Sequence, residues 1–573
     1  MNNILIYDIE TDGLAIDKSK MIFFGAYSYV DNKYYYLNAM IKSEHDKIQE
    51  LIQNHNVLIG FNNINFDKPI IENTGIAWNT GGYKHNLDLL QILKLKGRAQ
   101  IMATPTGEML SNSIENYRLS TIGEALQFEV AKGEIDYNIF KQKSFKANEL
   151  QEIYNYLYAD IKLTKDLWEY VFDYFECFKD YVSYKDYNNF KHINTSTGSF
   201  TYHAICYLTN KPVQWSDIKE QTINDGGSVM DPTTDYAEDV VCFDFSSLYP
   251  MIFIQNNLFS SDCKCCKKSD QFKGNDLFEL RGSYCKKKQG VIEKTLIGLY
   301  LQRKKYKAVN DPRQYAIKIM INSLYGITGS SIFTTIYNTY VSGDCTTIGR
   351  ACIGKAIDIF NDNGFEVIYS DTDSCFVKLN NKPKKEAQKV ADSIVNTLQD
   401  DMTFPFDEFD FKIDGHYKRI RLVSKKRYYY ITEDDEFKIK GLAPIRADCT
   451  RCTREVFDII KPELIAAEKM VLSEEHIQSI LYDLISEDIT IASQQFNIKK
   501  SIDDYANTTG LHAQISQEFG EGTHILIKNF KLGRVGKDKK YCTPDQARMF
   551  LSIDDLDLSK SLNELQPFME VKE

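Results

Sequence analysis

The sequence VIYSDTDSCFV at residues 367–377 places two acids, Asp371 and Asp373, between two apolar segments. Short apolar runs on both sides of a polar centre predict a β-hairpin with the acids at its tip. Two carboxylates this close together in a partly desolvated site repel each other unless a cation lies near them. The hairpin is therefore interpreted as a candidate metal-binding element.

A second apolar strand with an acid near its end precedes this hairpin in the chain. Residues 240–245 read VVCFDF, and Asp244 stands where the strand runs into the sequence SSLYP. A buried strand that presents an acid at its end is a common placement for a metal ligand. Asp244 joins the hairpin acids as a candidate, although this strand alone is a weak signal.

Two helical segments lie between these strands, at residues 292–309 and 313–326, and an Asn-Asp-Pro turn separates them. Polar residues recur on them at helical spacing: Arg303, Lys307, Lys318, Asn322 and Tyr325. Two antiparallel helices can direct the three cations of this set at one anion. A triphosphate suits them, because phosphoryl transfer depends on positioning and charge neutralisation.

The N-terminal strand carries a separate group of acids. Alternation along a strand puts Asp8 and Glu10 on one face, and the segment GFNNINFD ends at Asp67. Tyr156 and Asp160 are four residues apart in a helical pattern, so they share a helix face. Four acids and a tyrosine suit a two-metal phosphodiesterase, with Mg²⁺ on the carboxylates and the tyrosine hydroxyl on the attacking water. A solvated strand end is the alternative for the first two acids.

Composition and charge exclude several classes of protein, among them disordered, fibrous and membrane-spanning chains. The 573 residues suggest three to five structural units, and 43% hydrophobic with 26% charged residues exclude a mainly disordered or fibrous chain. The net charge is −11, but the segments Arg281–Lys307, Lys412–Tyr428 and Lys528–Lys540 carry +8, +6 and +5. Such stretches on an acidic body fit a channel for a polyanion, and the alternative is three solvated surface segments. No apolar run is long enough for a membrane span, and the N-terminus is not a signal peptide.

The chain has 13 cysteines in no regular framework, which favours a reducing compartment and free thiols. Cys263 and Cys266 have the spacing of zinc ligands, and Cys265 and Cys285 are nearby in the sequence. A fourth ligand would have to be the adjacent Cys265 or lie elsewhere, which is awkward. Free thiols in a basic loop are therefore the favoured interpretation, and metal binding is the alternative.

These motifs together resemble family B DNA polymerases with a 3′–5′ proofreading exonuclease. Asp-Ile-Glu, Asn-Asn-x-x-Phe-Asp and Tyr-x3-Asp resemble the three exonuclease motifs, and Asp-x-x-Ser-Leu-Tyr-Pro, Lys-x3-Asn-Ser-x-Tyr-Gly and Tyr-x-Asp-Thr-Asp-Ser resemble polymerase motifs A, B and C. The resemblance covers residues 8 to about 450, and the compact form is similar to phage or mobile-element members.

The resemblance implies roles for the exonuclease candidates. Metal ligands would be Asp8, Glu10, Asp67 and Asp160, and Tyr156 would act on the water. Asn63 and Phe66 would hold a single-stranded 3′ end. Lys132, in a segment that resembles a Lys-containing exonuclease motif, would contact the scissile phosphate, and a surface lysine in a turn is the alternative.

The resemblance also implies roles at the polymerase site. Asp244 and Asp373 would be the principal metal ligands and Asp371 a supporting acid. Nucleotide-binding residues would be Arg303, Lys307, Lys318, Asn322, Ser247, Leu248 and Tyr249, with Tyr249 under the sugar. DNA-binding residues would be Tyr325, Gly326, Thr346, Gly349, Arg350, Lys426 and Tyr428. The family's Tyr-x-Gly-Gly linker is replaced by Asn-Asp-Gly-Gly at residues 224–227.

The implied fold class is α+β and multidomain: an RNase H-like α/β exonuclease domain followed by a right-hand palm, fingers and thumb. The expected divisions are exonuclease 1–185, connector 186–238, palm 239–290, fingers 291–327, palm again 328–450 and thumb 451–573. The thumb assignment depends on position and on the basic segment near residues 528–540.

The resemblance also implies substrates and partners. These are primer-template DNA, dNTPs and two Mg²⁺ per active site, for which Mn²⁺ can substitute. Asp244 and Lys318 are 74 residues apart, and Gly326 and Asp371 are 45 apart, so neither interval has room for the insertions of protein-primed relatives. A nucleic-acid primer is expected, with a processivity factor, primase or helicase as partners, a monomeric state and a cytoplasmic location in the host. A protein-primed replicase and a catalytically inactive DNA-binding scaffold are the alternatives.

Overall fold

The computed structural model describes residues 3–78, 85–131, 133, 135–217, 226–261, 263–446, 449–492, 495–498, 515–517, 520, 522–527, 540–542 and 558–570. The predicted contact at Lys132, the linker residues 224 and 225, and residues 528–539 of the last basic segment lie outside them. The chain forms two compact units. The first comprises Met1–Asp225, Ser247–Ile348 and Met402–Phe406, and the second comprises Gly226–Ser246, Gly349–Asp401 and Asp407–Glu573. The six-part division predicted from the sequence stays a prediction.

A five-stranded mixed sheet is the centre of the N-terminal part of the first unit. Its strands are β1 (Ile4–Thr11), β2 (Met21–Ser28), β3 (Lys33–Asn38), β4 (Val57–Gly60) and β5 (His85–Asp88), in the order β3-β2-β1-β4-β5. β2 runs antiparallel to both β1 and β3, whereas β1, β4 and β5 are parallel. Parallel strands end at the same edge, so the ends of β1, β4 and β5 present their loops together.

Helices accompany this sheet. They are α1 (Lys42–Asn54), α2 (Asp67–Asn73), α3 (Leu110–Ser113), α4 (Leu119–Ala125) and α5 (Ala147–Phe175). Of these, α1 and α5 pack on opposite faces of the sheet. Ile48, Leu51 and Ile52 of α1 join one core with alternate β1 residues. Ile153 and Leu157 of α5 join another core with Phe23 of β2. All eight residues of β2 are buried because the sheet is covered on two sides.

The rest of the first unit is mainly helical. It contains α6 (Tyr184–Asn188), α7 (Thr197–Leu208), α8 (Leu248–Asn256), β7 (Phe272–Gly274), β8 (Glu279–Tyr284), α9 (Val291–Ala308) and α10 (Arg313–Thr328). The two predicted helices are thus present, with ends shifted by one or two residues. Arg313 begins α10 and pairs with Asp311 at 2.6 Å, which fixes the predicted turn between α9 and α10. Helix α11 (Thr339–Asp362) begins in this unit and ends in the second.

A six-stranded antiparallel sheet is the centre of the second unit. Its strands are β6 (Tyr236–Phe245), β9 (Glu366–Asp371), β10 (Ser374–Lys378), β11 (Phe411–Ser424), β12 (Arg427–Thr432) and β13 (Phe437–Lys440), in the order β13-β12-β11-β6-β10-β9. Phe243 packs on Phe360 of α11 with ring centroids 5.0 Å apart, and α12 (Lys384–Asp400) packs on β11. The predicted strand at 240–245 and the predicted hairpin are both present in this sheet.

The C-terminal part combines α13 (Arg451–Ala466), α14 (Glu474–Glu487) and α15 (Ser559–Leu565) around one apolar core. A small sheet also lies in this part of the chain, with the strands β14 (Gln495–Ile498), β15 (Gly522–Ile527) and β16 (Lys540–Cys542), and the sequence analysis predicted no strand here. Throughout the described residues, no helix combines the length and apolar character needed to cross a membrane.

Candidate active sites

Three acids of the N-terminal group converge in the first unit. Asp8 and Glu10 occupy alternate positions at the end of β1, and Asp160 lies on α5, which packs against β1. Their ligand oxygens all lie within 4.8 Å of one another. Glu10 is 7% exposed and Asp160 is 3% exposed, so two of these carboxylates are largely withdrawn from water. Such a cluster of oxygen ligands matches the preference of Mg²⁺.

Asp67 lies beside this cluster rather than within the set of three. It begins α2, is 4% exposed, and accepts a hydrogen bond from the backbone N–H of Ile9 at 3.2 Å. Burial raises the pKa of Asp67 to about 7, and the charges of Asp88 and Asp160 act in the same direction. A cation at the cluster would oppose that rise, because a positive charge favours the carboxylate form.

Tyr156 has a partner that sequence analysis missed. It lies one helical turn before Asp160 on α5, is 5% exposed, and its hydroxyl lies 2.8 Å from the hydroxyl of Tyr137. Tyr137 itself is 61% exposed. The segment that contains Tyr137 was singled out in the sequence, but for its lysine, because nothing in the spacing indicates a contact between these two tyrosines.

Hydrogen bonds of the buried Asn63 side chain fix the loop between β4 and α2. Asn63 is fully buried, and its side-chain amide donates to the hydroxyl of Tyr7 and to Oδ1 of Asn86, both at 2.9 Å. Gly60 permits this, since a Cβ there would lie 2.7 Å from the Cβ of Asn63. Asn63 therefore braces the loop and has no exposed surface for DNA, whereas Phe66 is half-buried against the core.

Asp88, at the end of β5, is a second residue that sequence analysis missed. It is 2% exposed and accepts hydrogen bonds from the backbone N–H groups of Asn62, Ile64 and Gln91 at 3.0 to 3.3 Å. Burial raises its pKa despite these bonds. The sequence gives little signal for it, because its strand reads His-Asn-Leu-Asp and lacks the apolar run that precedes Asp8 and Asp244.

Strand pairing brings motif A and motif C together in the second unit. Asp244 of β6 pairs with Ser374 of β10, and the N–H of Phe245 donates to the carbonyl of Asp373 at 2.8 Å. The hairpin tip is held in an unusual conformation, because Thr372 has a φ of 58°, a region that β-branched residues rarely adopt. Strain of this kind accumulates at functional sites, and here it places Asp373 next to the end of β6.

Asp371 has a cationic partner in the same unit. Nζ of Lys426 lies 2.5 and 2.8 Å from its two carboxylate oxygens, and the hydroxyl of Thr372 donates to it at 2.9 Å. The backbone N–H of Lys426 donates to the hydroxyl of Tyr369 at 2.8 Å. Tyr428 packs beside Tyr369, with ring centroids 5.9 Å apart. The segment predicted to hold the primer end is thus attached to the strand that carries Asp371.

The DNA-binding candidates on α11 differ in exposure. The guanidinium of Arg350 donates to the carbonyl of Gly226 at 2.8 Å, so it contacts the predicted glycine linker within the second unit. Gly349 is buried. Thr346 is 1% exposed, and its hydroxyl donates to the carbonyl of Gly343 at 2.8 Å within the helix. Thr346 therefore offers no surface to DNA in this conformation.

The nucleotide-binding candidates lie in the first unit. Arg303 of α9 donates to the hydroxyl of Ser247 at 3.1 Å, and partial burial lowers its pKa. Ser247 itself has a φ of 58° and precedes α8. The packed helices α9 and α10 also carry the exposed residues Lys307, Lys318, Asn322 and Gly326.

The tyrosine predicted to lie under the sugar has an aromatic neighbour in this unit. The rings of Tyr249 and Tyr325 lie with their centroids 4.8 Å apart, so α8 and α10 meet through them. Leu248 is buried at the start of α8. An aromatic surface beside exposed cations can accept an anionic nucleotide.

Comparison with known proteins agrees with this geometry. The model of the DNA polymerase family B matches residues 203–523, and that of the RNase_H superfamily matches residues 5–172. A DNA polymerase of Thermococcus gorgonarius is 26% identical over 497 residues, which is 80% of this chain and 62% of that protein. A DNA polymerase of Archaeoglobus fulgidus is 26% identical over 55% of this chain and 41% of its own length.

Other relatives span a wider range of sizes. The DNA polymerase alpha catalytic subunit of Dictyostelium discoideum is 27% identical over 48% of this chain and only 19% of its own length. The chain thus spans between about a fifth and about three fifths of these three curated relatives. The solved family B DNA polymerase of Pyrobaculum calidifontis aligns over 100% of this chain and 79% of its own, with a TM-score of 0.54 and 18% identity, which shows a shared fold.

The sequence-based expectation of an RNase H-like domain followed by a polymerase domain is therefore confirmed. The family model covers more than half of the 573 residues, including both polymerase carboxylate motifs. This chain belongs to DNA polymerase family B and carries an RNase H-like domain of the exonuclease type ahead of its polymerase region.

Proposed function

We propose that this protein is a template-directed DNA polymerase that adds dNMP to a primer 3′-hydroxyl and has a 3′–5′ proofreading exonuclease. The observation that carries the proposal is the pairing of β6 with β10, which puts Asp244 and Asp373 at adjoining strand ends. Two acids at adjoining strand ends, inside the segment that matches the family, suit a two-metal nucleotidyl transfer.

At the polymerase site, Asp244 and Asp373 would hold two Mg²⁺, for which Mn²⁺ can substitute. When bound, the ions would stabilise the attacking 3′-oxygen and the leaving pyrophosphate oxygen. Asp371 is already compensated by Lys426, which supports a positioning role for this acid. Within the first unit, Arg303, which donates a hydrogen bond to Ser247, would neutralise a triphosphate together with the neighbouring lysines of α9 and α10.

The other DNA contacts are proposed from the same resemblance. Tyr249, packed on Tyr325, would lie under the sugar of the incoming nucleotide and exclude a 2′-hydroxyl. Arg350 and the glycine linker that it contacts would bind the phosphate backbone of the primer-template DNA. Lys426 and Tyr428 would hold the primer end, and their attachment to the β9 strand supports a position near the chemistry.

At the exonuclease site, the cluster of Asp8, Glu10 and Asp160 would hold divalent ions, with Asp67 as an adjoining ligand. The ions would supply electrostatic stabilisation of the phosphate that is cleaved. The hydroxyl of Tyr156, oriented by its neighbouring tyrosine, would hold the attacking water. Buried carboxylates crowded together have no use in a protein that only binds DNA, which argues against an inactive scaffold.

The wider role is proposed from the compactness of the polymerase region. The short intervals between motifs A and B and between motifs B and C support a nucleic-acid primer and weaker intrinsic processivity, so we propose that a processivity factor, a primase or a helicase acts with this chain. We propose replication of viral or mobile-element DNA by a monomer in the host cytoplasm. Extension of many kilobases from a single binding event would contradict the processivity part.

The test is a denaturing gel of a 5′-labelled primer on a longer template with Mg²⁺, with and without dNTPs. We expect lengthening with dNTPs and shortening without them. Asp373→Asn should abolish lengthening only, Asp8→Ala should abolish shortening only, and Asp434→Asn, an exposed acid between β12 and β13, should change neither. Undiminished synthesis by Asp373→Asn would refute the site, and no change in either lane for the wild type would favour a scaffold.

A further inference from the structure

Four cysteine sulfurs meet in the first unit, away from both carboxylate groups in the sequence. The cysteine cluster consists of Cys263, Cys265, Cys266 and Cys285, and its Sγ atoms all lie within 4.8 Å of one another. Sγ of Cys263 lies 3.1 Å from that of Cys266 and 3.8 Å from that of Cys265, and Sγ of Cys265 lies 3.1 Å from that of Cys285. All four are free thiols in the structure.

The local fold removes the objection that sequence analysis raised. The chain bends at residues 264–266, so the adjacent Cys265 and Cys266 can direct their sulfurs at one point. Cys285 follows β8 and is fully buried. Its backbone N–H donates to the hydroxyl of Ser260 at 2.8 Å, and the side chain of Asn257 donates to its carbonyl at 2.8 Å. Buried hydrogen bonds to the backbone of Cys285 therefore fix its sulfur beside the other three.

The spacing of the sulfurs fits a tetrahedral ion. Zinc binds thiolates at about 2.3 Å, so two sulfurs at tetrahedral corners are about 3.8 Å apart. The observed separations of 3.1 to 3.8 Å, with all pairs inside 4.8 Å, bracket that value. A set of four sulfur ligands is the donor set that zinc takes in closed structural sites.

The surroundings suit thiolates rather than neutral thiols. Four thiolates on one divalent ion leave a net charge of −2, and the flanking sequence is basic, with lysines at 264, 267, 268, 286, 287 and 288. The side-chain amide of Gln271 donates to Sγ of Cys263 at 3.4 Å. Donors to metal-bound ligands orient them and are typical of metal sites.

We propose that the cysteine cluster binds one Zn²⁺ as a structural site. The ion would join the loop after α8 to the end of β8, and it would fix the loop that leads into α9. The side chain of Glu293, which is fully buried at the start of α9, accepts from the N–H of Phe259 in the same loop at 2.8 Å. The ion would thereby stabilise the base of the helix that carries Arg303. This inference does not depend on the proposed polymerase activity.

Two disulfides are the competing arrangement, because the sulfurs also approach pairwise at 3.1 Å. Disulfide formation would lower the intact mass by two hydrogens per bond and leave no thiolate for a metal. Intact mass and metal content therefore distinguish the two arrangements in one sample.

The test uses the full chain purified from zinc-supplemented cells and measured by inductively coupled plasma mass spectrometry. We expect about one zinc per chain, lost in Cys285→Ser and in Cys265→Ser and retained in the matched control Cys177→Ser, a half-buried cysteine outside the cluster. Cys265 is exposed, so its variant tests the site even where Cys285→Ser does not fold.

A second measurement uses the wild-type chain alone. After removal of zinc, added Co²⁺ should give the visible absorption of a tetrahedral thiolate complex, and zinc should displace it. A metal-free chain without this absorption, a mass that shows disulfides, iron in place of zinc, or zinc that persists in both cluster variants would each overturn the proposal.

Discussion

Replacement of Asp160 by asparagine should abolish the stabilisation of the first unit by Mg²⁺. Asp160 shares its cluster with Asp8 and Glu10, and their ligand oxygens lie within 4.8 Å. At an effective dielectric constant of about 20, two unit charges at that distance repel by about 3.5 kcal/mol. Each acid belongs to two of the three pairs, so removal of the Asp160 charge relieves two repulsions and removes one of the three charges that attract a cation.

The size of the Mg²⁺ effect follows from mass action. At about ten times its dissociation constant, a ligand that binds only the folded state stabilises it by about 1.4 kcal/mol. For a unit of about 330 residues, whose unfolding entropy is about 0.7 kcal/mol per kelvin, this raises Tm by about 2 °C. The Asp160→Asn chain keeps the shape of the side chain but loses one of the three charges, so its Mg²⁺-dependent shift should fall to near zero.

The assay is differential scanning calorimetry in EDTA and in Mg²⁺. It is done in an Asp373→Asn background, so that the other carboxylate site does not add its own shift. The matched control is Asp173→Asn, an exposed acid on the same helix, which should keep the full shift. A shift in Asp160→Asn equal to that of the control would refute the metal-binding interpretation of the cluster.

Three further outcomes are expected. Tyr137→Phe should slow the proposed exonuclease reaction about 2- to 10-fold in a single-turnover degradation assay, because one hydrogen bond to Tyr156 is lost. The control Tyr184→Phe, at an exposed tyrosine, should leave the rate unchanged. Arg98→Met should lower the free energy of unfolding by about 3 kcal/mol in urea, because the fully buried guanidinium donates to two backbone carbonyls that would lose their donors. Burial lowers the pKa of His192 to about 4. The neutral imidazole therefore contributes stability above the unfolded pKa of about 6.5, and this contribution is lost as the pH falls toward 4. His192→Phe should make Tm depend less on pH between those values, and an unchanged slope of Tm against pH would refute this.

Local patterns were enough to predict the elements that carry the acids. The strands ending at Asp8 and Asp244 and the helix bearing Asp160 follow from periods of two and of 3.6 residues. Contacts between distant segments of the chain were harder to predict. Lys426 pairs with Asp371 across 55 residues, and no periodicity links the two.

In the cysteine cluster too, the local spacing could be predicted from the sequence, whereas the contact with a distant cysteine could not. The spacing of Cys263 and Cys266 gave a zinc-like signal, but the approach of Cys265 to Cys285, 20 positions later in the chain, depends on the fold of the residues between them. Backbone hydrogen bonds to buried side chains, such as the one from Cys285 to Ser260, fix that geometry and leave no mark in the sequence.

The first carboxylate cluster depends on helix packing in a way that the second does not. Asp244 and Asp373 are brought together by strand pairing, whereas Asp160 reaches Asp8 only because α5 lies close to the sheet. Gly25 pairs with Asp8 in the β-ladder, and a Cβ at Gly25 would lie 3.0 Å from Leu157 of α5. A larger residue at position 25 would require Leu157 and Ile161 of α5 to shift by a few tenths of an ångström, which we expect to strain the packing of α5 beside the carboxylates. The approach of these candidate metal ligands therefore depends on an apolar contact beside them, made by residues that carry no charge.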